Sequence, residues 1–147
     1  MMKILILHGP NLNLLGSREP EQYGTCTLET INAQLAEVAQ QKGVEVEFYQ
    51  SNHEGFLIDK IHSARGAVDG IVINAGAYTH TSIGIRDAIL GCGIPTVEVH
   101  LSNIYAREAF RRTSVLSDVA LGVIAGFKEQ SYLLALEAII HHLKQHA

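Results

Sequence analysis

Short apolar runs rich in Val, Ile and Leu alternate along the chain with stretches whose apolar residues repeat at helical spacing. Five runs predict β-strands, over residues 4–7, 44–49, 70–74, 96–99 and 119–124. The second run alternates apolar and polar positions, whereas the central runs are almost continuously apolar. Continuous runs of this kind are typical of strands that are buried on both faces of a parallel sheet.

The helical spacing predicts four helices between and after these strands. The first has apolar residues at Leu28, Ile31, Leu35 and Val38, and Gly43 is expected to end it. The other three have apolar positions at Leu57, Ile58 and Ile61, at Ile85, Ala88 and Ile89, and at Leu133, Leu136, Ile139, Ile140 and Leu143. Alternating strands and helices predict one α/β domain over residues 1–147, with a doubly wound parallel sheet.

Polar side chains follow four of the predicted strands directly. In doubly wound sheets, ligands bind outside the carboxyl ends of the strands, where the strand order reverses. A domain without a ligand would place some Asn and Ser there as helix caps, but rarely so many histidines as well. The residues concerned are His8, Asn11 and Asn13, then Ser51, Asn52 and His53, then Asn74 and residues 78–82, then His100, Ser102 and Asn103.

The connection over residues 14–24 is long for a strand-to-helix loop and is predicted to be a lid. It carries Arg18 and Tyr23, with Gly16 and Gly24 as possible hinges. A nearby arginine favours the phenolate form of a tyrosine, which would make Tyr23 a usable general base. The alternative is a solvated loop in which Arg18 pairs with a neighbouring glutamate.

Glu98 precedes His100 by two positions in the fourth predicted strand. Residues two apart in a strand lie on the same face, so the carboxylate is expected to reach the imidazole. Such a partner fixes the tautomer of a histidine and favours its protonated form, as a general acid requires. The alternative is a capping histidine beside a strand-end glutamate.

The turn over residues 74–82 is rich in hydrogen-bond donors and leads into the third helix. Thr81 and Ser82 are natural N-caps there, and free amides at a helix start suit an anion. Arg86 and Asp87 lie further along this helix, and Arg111 and Arg112 follow the fourth strand. These residues suggest a polar, anionic substrate with several hydroxyl groups. The alternative for the arginine pair is a solvated or subunit-contact face.

Composition argues against several other classes of protein. The formal charge of −4 gives no basic surplus for nucleic acid. Cys26 and Cys92 do not have the spacing of a disulfide framework or of a zinc site. The first apolar stretch is too short for a signal peptide or a membrane span. A cytoplasmic location is therefore expected. No dinucleotide or P-loop motif occurs, no metal-ligand spacing is present, and no lysine falls in a strand-end cluster, which disfavours a Schiff base.

Five stretches together resemble the type II 3-dehydroquinate dehydratases. They are residues 8–24, 50–64, 73–89, 95–114 and 119–127. The resemblance implies a flavodoxin-like fold with helices on both faces of the sheet, a homododecamer built from trimers, and no cofactor. It also implies conversion of 3-dehydroquinate to 3-dehydroshikimate and water through an enolate. The competing hypothesis is a flavodoxin-like module that binds FMN or acts as a receiver domain.

The resemblance also assigns roles to individual residues. Tyr23 resembles the proton acceptor and His100 the proton donor, supported by Glu98. Arg18 resembles the residue that keeps the tyrosine ionised and stabilises the transition state, and Asn11 resembles the group that holds the developing enolate with a water. Residues that resemble the substrate ligands are Asn74, His80, Asp87, Leu101, Ser102 and Arg111. Three positions depart from the family pattern: Gly84 replaces a better helix former, and Lys128 and Ser131 replace glycines.

Overall fold

The sheet in the computed structural model has five parallel strands in the order β2-β1-β3-β4-β5. The structure describes residues 1–17, 21 and 26–147. The strands are β1 (Lys3–His8), β2 (Glu45–Gln50), β3 (Gly70–Asn74), β4 (Thr96–His100) and β5 (Gly122–Ala125). This order is that of flavodoxin-like folds, and the direction of winding reverses between β1 and β3. The predicted fold class is therefore confirmed.

Four α-helices cover the two faces of the sheet in the described part of the chain. They are α1 (Leu28–Gln41), α2 (Glu54–Ala64), α3 (Ile83–Cys92) and α4 (Glu129–Gln145). Helices α1 and α4 pack on the face that carries Ile4 and Ile6 of β1, whereas α2 and α3 pack on the face that carries Leu5 and Leu7. No helix in these ranges is both long and apolar enough to cross a membrane.

Strand β1 lies between β2 and β3, and the four residues Ile4–Leu7 have no exposed surface. Burying an aliphatic side chain of this size contributes about 1.5–3 kcal/mol. Successive side chains of a strand point to opposite faces of the sheet, so this short run packs against both helix layers. The chain then reaches the carboxyl edge at His8, which is itself fully buried.

Local capping chemistry sets the bounds of α1 and α3. The Thr27 side chain accepts a hydrogen bond from the Thr30 N–H at the start of α1, and Gly43 follows the helix end with a φ of 71°. At α3 the N-cap is Ser82, whose side chain accepts from the Ile85 N–H, so Thr81 is not the cap.

The fifth strand begins later than the sequence predicts. The Leu116 carbonyl accepts hydrogen bonds from the N–H groups of Val119 and Ala120, so these residues form a turn and pairing with β4 starts at Gly122. Val119 is apolar because it packs against the α2–α3 layer, not because it lies in the sheet. A continuous apolar run cannot distinguish these two environments.

Gly84, Lys128 and Ser131, where the resemblance led us to expect other residues, each have a distinct local environment. A Cβ at Gly84 would lie 3.0 Å from Ile58 Cδ1, so the glycine lets α3 approach α2 closely. Lys128 has a φ of 53°, a backbone conformation that favours glycine. Ser131 is fully buried, and its hydroxyl accepts a hydrogen bond from the Phe127 N–H just before α4.

Candidate active site

The carboxyl ends of β1 and β3 meet through a close backbone contact. The Gly9 N–H donates to the Asn74 carbonyl at 2.7 Å, and a Cβ at Gly9 would lie only 2.4 Å from the Ala75 carbonyl oxygen. Any side chain at position 9 would therefore force the two segments apart. This contact brings Asn11, which follows β1, to the same edge as Asn74.

A cleft opens at this edge of the sheet. It is lined by side chains from the segments after β1, β3 and β4. Among the residues predicted from the sequence, those that line it are Asn11, Asn74, His80, His100, Leu101, Ser102 and Arg111. Seven of the predicted residues are thus brought together, and Glu98 lies directly behind His100.

Glu98 is the centre of a buried hydrogen-bond network. Its side chain is fully buried, and one carboxylate oxygen accepts from the Thr79 hydroxyl at 3.0 Å and from His100 Nε2. The other oxygen accepts from the Ser114 and Ser117 hydroxyls at 3.1 and 2.8 Å. Burial by itself raises the pKa of Glu98, but the hydrogen bonds and the adjacent imidazole outweigh it and hold the pKa below the ordinary value. The carboxylate is therefore ionised at neutral pH.

This network fixes the orientation of His100. Because Nε2 donates to a carboxylate, the other ring nitrogen, Nδ1, is the one available to a molecule in the cleft. The contact between Glu98 and His100 that strand geometry predicts is confirmed. Thr79, Ser114 and Ser117 were not predicted as site residues. A serine or threonine has no sequence signature for donating to a carboxylate in another element, although Thr79 and Ser114 lay in segments already singled out, residues 74–82 and 95–114.

Asn11 is held in a left-handed conformation with a φ of 68°. Its N–H donates to Asn52 Oδ1 at 3.0 Å, and Gln50 Nε2 donates to the same oxygen at 3.2 Å and to the Gly9 carbonyl at 3.1 Å. Asparagine tolerates this conformation better than most residues. The end of β2 thus clamps the backbone of Asn11 and leaves its side chain at the cleft.

Asn74 and His80 each use one polar atom to bind backbone. Asn74 Oδ1 accepts from the Gly76 N–H at 3.1 Å, and His80 Nδ1 donates to the Thr113 carbonyl at 2.9 Å. The Asn74 amino group and His80 Nε2 are left for other partners. Neutral His80 therefore presents an acceptor, and Asn74 a donor.

Two guanidinium groups supply positive charge to the cleft. Arg111 was predicted, but Arg107 also lines the cleft, with its side chain only 9% exposed. In the sequence, the available signal for Arg107 was its position four residues before Arg111. Arg112 is exposed and donates to the Arg107 carbonyl. Glu108 lies 3.7 Å from Arg107 Nε and 3.1 Å from Arg111 Nε, so one carboxylate offsets part of the charge of two guanidiniums. The remaining positive charge favours a carboxylate ligand.

Some predicted residues lie elsewhere. Asp87 is exposed on α3 and does not line the cleft of its own chain, and Arg86 pairs with Asp118. Of the amides that were predicted to be free for an anion at the start of α3, the Ile83 N–H donates to the Thr81 carbonyl and the Ile85 N–H donates to Ser82 Oγ. Arg18 and Tyr23 lie outside the described residues.

The cleft residues suit acid–base chemistry on an oxygen-rich anion. A buried carboxylate–imidazole pair, two amide side chains and two guanidiniums converge on one edge of the sheet. Across residues 1–17, 21 and 26–147, no group of three or more His, Cys, Asp or Glu side chains has an arrangement that fits a metal ion.

Comparison with known proteins agrees with these features. The sequence model described as "Dehydroquinase class II" matches residues 2–140. A 3-dehydroquinate dehydratase of Ruegeria pomeroyi is 61% identical over 143 residues, which cover 97% of this chain and 96% of that protein. A 3-dehydroquinate dehydratase of Trichodesmium erythraeum is 60% identical, and the match covers 98% of this chain and 96% of that protein. The crystal structure of type II dehydroquinase from Butyrivibrio crossotus superposes with a TM-score of 0.93 at 48% identity, and covers 95% of this chain and 97% of that one. This chain therefore belongs to the class II dehydroquinase family.

Proposed function

We propose that this protein, as one catalytic domain over residues 1–147, converts 3-dehydroquinate to 3-dehydroshikimate and water. The family, the names of relatives near 60% identity and the cleft all support this activity. The observation that carries the mechanism is the buried Glu98 carboxylate, which binds His100 Nε2 and directs the other ring nitrogen to the cleft.

The first step in the proposed mechanism is removal of a proton from the carbon next to the ring ketone. Tyr23, as its phenolate, takes this proton, and Arg18 keeps the phenol ionised. These two assignments rest on the resemblance of residues 8–24 to the family. The electrons of the broken C–H bond form an enolate, which hydrogen-bond donors stabilise. Asn11 is at the cleft edge in a fixed backbone conformation, which suits it to hold that oxygen together with a water.

The second step expels the hydroxyl group. The enolate re-forms the ketone, a carbon–carbon double bond forms, and the carbon–oxygen bond to the leaving hydroxyl breaks. His100, as the imidazolium, protonates this hydroxyl from Nδ1, so that it leaves as water. Glu98 stabilises the imidazolium that gives the proton, because its negative charge lies against Nε2–H.

The remaining cleft residues are proposed to bind the substrate. The Asn74 donor, the His80 acceptor and the Leu101–Ser102 turn suit its hydroxyls and carboxylate, and Arg111 adds positive charge. Asp87 was assigned to the same set. Since it lies outside the cleft of its own chain, it would have to reach a site in a neighbouring subunit.

We propose a homododecamer built from trimers, located in the cytoplasm. Support for an assembly comes from large apolar side chains on the surface of the single chain. Phe110, Phe127 and Leu90 are 67%, 63% and 57% exposed. The two cysteines are unpaired, which suits a reducing compartment. Light scattering should give about twelve chain masses in solution, and a mass of one chain would refute the assembly.

The activity is tested with purified protein and 3-dehydroquinate, without added metal or cofactor. We expect the conjugated enone absorbance of the product to appear, and to be insensitive to chelators and to borohydride with substrate. His100→Ala should lower kcat about 10²-fold or more. His53→Ala is the matched control, because this exposed histidine lies outside the cleft. No enone product from well-folded protein would overturn the proposal, and borohydride inactivation that needs substrate would show an imine instead.

A further inference from the structure

A second hydrogen-bond network lies behind the cleft on the α1–α4 side of the sheet. It joins His8 at the end of β1, Asn32 on α1 and Tyr132 on α4. His8 and Tyr132 have no exposed surface. The proposed mechanism uses none of these three side chains, yet burying a phenol and an imidazole is costly unless their polar atoms are paired.

The Asn32 side-chain oxygen, which can only accept, sets the direction of both hydrogen bonds in this network. Asn32 Oδ1 lies 2.8 Å from His8 Nε2, so Nε2 carries the proton. In a neutral imidazole Nδ1 is then an acceptor, and Tyr132, whose oxygen is 2.8 Å away, donates its hydroxyl proton to it. Burial lowers the pKa of His8 to about 4 against the opposing hydrogen bond of Asn32, so the ring is neutral at neutral pH.

The Tyr132 oxygen also meets Asn74, the substrate ligand proposed above. Strand pairing places His8 directly opposite Asn74. Paired residues of neighbouring parallel strands project from the same face of the sheet, so the Asn74 side chain lies on the same side as the buried His8–Tyr132 pair. Burial raises the pKa of the Tyr132 phenol and the Asn74 side chain opposes that rise, as an N–H group facing the phenol oxygen does. Because the Tyr132 proton is committed to His8, only oxygen lone pairs face Asn74.

Asn74 is thereby fixed from two sides. Its Oδ1 accepts from the Gly76 N–H at 3.1 Å, and its amino group faces the phenol oxygen. A flip of the amide by 180° would place NH₂ against N–H at Gly76 and a carbonyl against lone pairs at Tyr132. Both contacts would be repulsive. In the fixed orientation one amino hydrogen faces the Tyr132 oxygen, and the second is free to point into the cleft.

We infer that Tyr132 is a positioning residue that acts through Asn74: hydrogen-bonded to His8, it fixes the amide of Asn74 so that an N–H faces the substrate. This inference rests on the proposed role of Asn74 as a substrate ligand. It explains why a fully buried position in the α1–α4 core holds a tyrosine, where phenylalanine would fill the same space without a polar atom to satisfy.

Tyr132→Phe is the first test, because it removes the hydroxyl and keeps the ring. We expect kcat/KM to fall about 5- to 20-fold, mainly through KM, as lost orientation weakens one substrate hydrogen bond. Tyr49→Phe is the matched control: this half-buried tyrosine lies on β2 with its ring near Lys60, away from the cleft. Its kcat and KM should equal those of wild type.

Two substitutions at His8 separate the two halves of the network. His8→Gln places an amide near the Nε2 position and removes the acceptor for Tyr132, so it should reproduce the KM rise of Tyr132→Phe. His8→Asn places its amide oxygen near the Nδ1 position and restores that acceptor, so it should recover most of the loss. A purely structural role for His8 would make both variants alike in KM, whatever their melting temperatures.

Asn74→Ala distinguishes failure of this inference from failure of the proposed site. If Asn74→Ala keeps the wild-type kcat/KM, Asn74 is not a substrate ligand and the proposed site is wrong at this position. If Asn74→Ala is impaired while Tyr132→Phe and His8→Gln keep the wild-type KM, the positioning inference is overturned. The inference further requires that Tyr132→Phe cost little more in the Asn74→Ala background, because its effect passes through Asn74.

Discussion

Replacing Glu98 with glutamine should remove the acid function of His100 while it preserves the shape of the buried network. Ser114 and Ser117 both donate to one carboxylate oxygen, so the glutamine oxygen takes that position and its amino group takes the other. Thr79 can adapt, because its hydroxyl also lies 3.3 Å from Ser114 Oγ and can donate there instead. His100 cannot adapt without cost, since the imidazolium would set Nε2–H against N–H.

The magnitude follows from what the imidazolium loses. A hydrogen bond to a charged partner contributes about 1.5–3 kcal/mol, and the new N–H to N–H contact adds a further cost of about 1 kcal/mol. Together these amount to about 2.5–4 kcal/mol, or a loss of about 60- to 700-fold in kcat at 1.4 kcal/mol per decade. The substrate KM should change little, because Glu98 is buried behind His100 and does not line the cleft.

The assay is steady-state formation of the enone product from 3-dehydroquinate, with the melting temperature measured for each variant. Glu47→Gln is the control, because this glutamate lies on the edge strand β2, pairs with Lys60 and is remote from the cleft. A Glu98→Gln enzyme with wild-type kcat would refute the reasoning, since His100 would then act without a negative partner. A higher KM with an unchanged kcat would also refute it.

Three further predictions concern the loop, the buried histidine and the start of α4. Arg18→Ala and Tyr23→Phe should each nearly abolish turnover, and the two losses of activity should not add in the double variant. The activity of Arg18→Ala should recover relative to wild type as pH rises from 6 to 10. Additive losses without this recovery would show that Arg18 acts independently of Tyr23. The pKa of His8 is lowered from 6.5 to about 4, so its neutral form contributes stability that is full above pH 6.5 and is lost as pH falls toward 4, roughly 3 kcal/mol in all. In His8→Asn, the free energy of unfolding measured with urea should therefore depend less steeply on pH between 6.5 and 4. An unchanged pH dependence would assign the acid sensitivity to other groups. Lys128→Gly should raise the free energy of unfolding by about 1 kcal/mol, because glycine adopts a φ of 53° without strain. A lower stability would mean that the Lys128 hydrogen bond to the Glu21 carbonyl outweighs the backbone strain.

Local patterns determined the elements of the fold and one contact of the site. The apolar run at Ile4–Leu7 and the spacing of Leu28, Ile31 and Leu35 report burial on strand and helix faces, and both were found where predicted. The two-residue period of a strand sufficed to pair Glu98 with His100. Such information is present in the sequence because it concerns residues only a few positions apart. The resemblance to a family then supplied the roles that periodicity cannot.

Only the tertiary structure decided which distant polar groups complete the site. Tyr132 lies 124 positions from His8 in the chain, and Ser117 lies 19 positions from Glu98, yet each pair shares a hydrogen bond. The strand order and the packing of α4 on the sheet bring these groups together, and no local period records that geometry. The free energy that fixes them is the desolvation cost of unpaired polar atoms, which arises only once the chain has enclosed them.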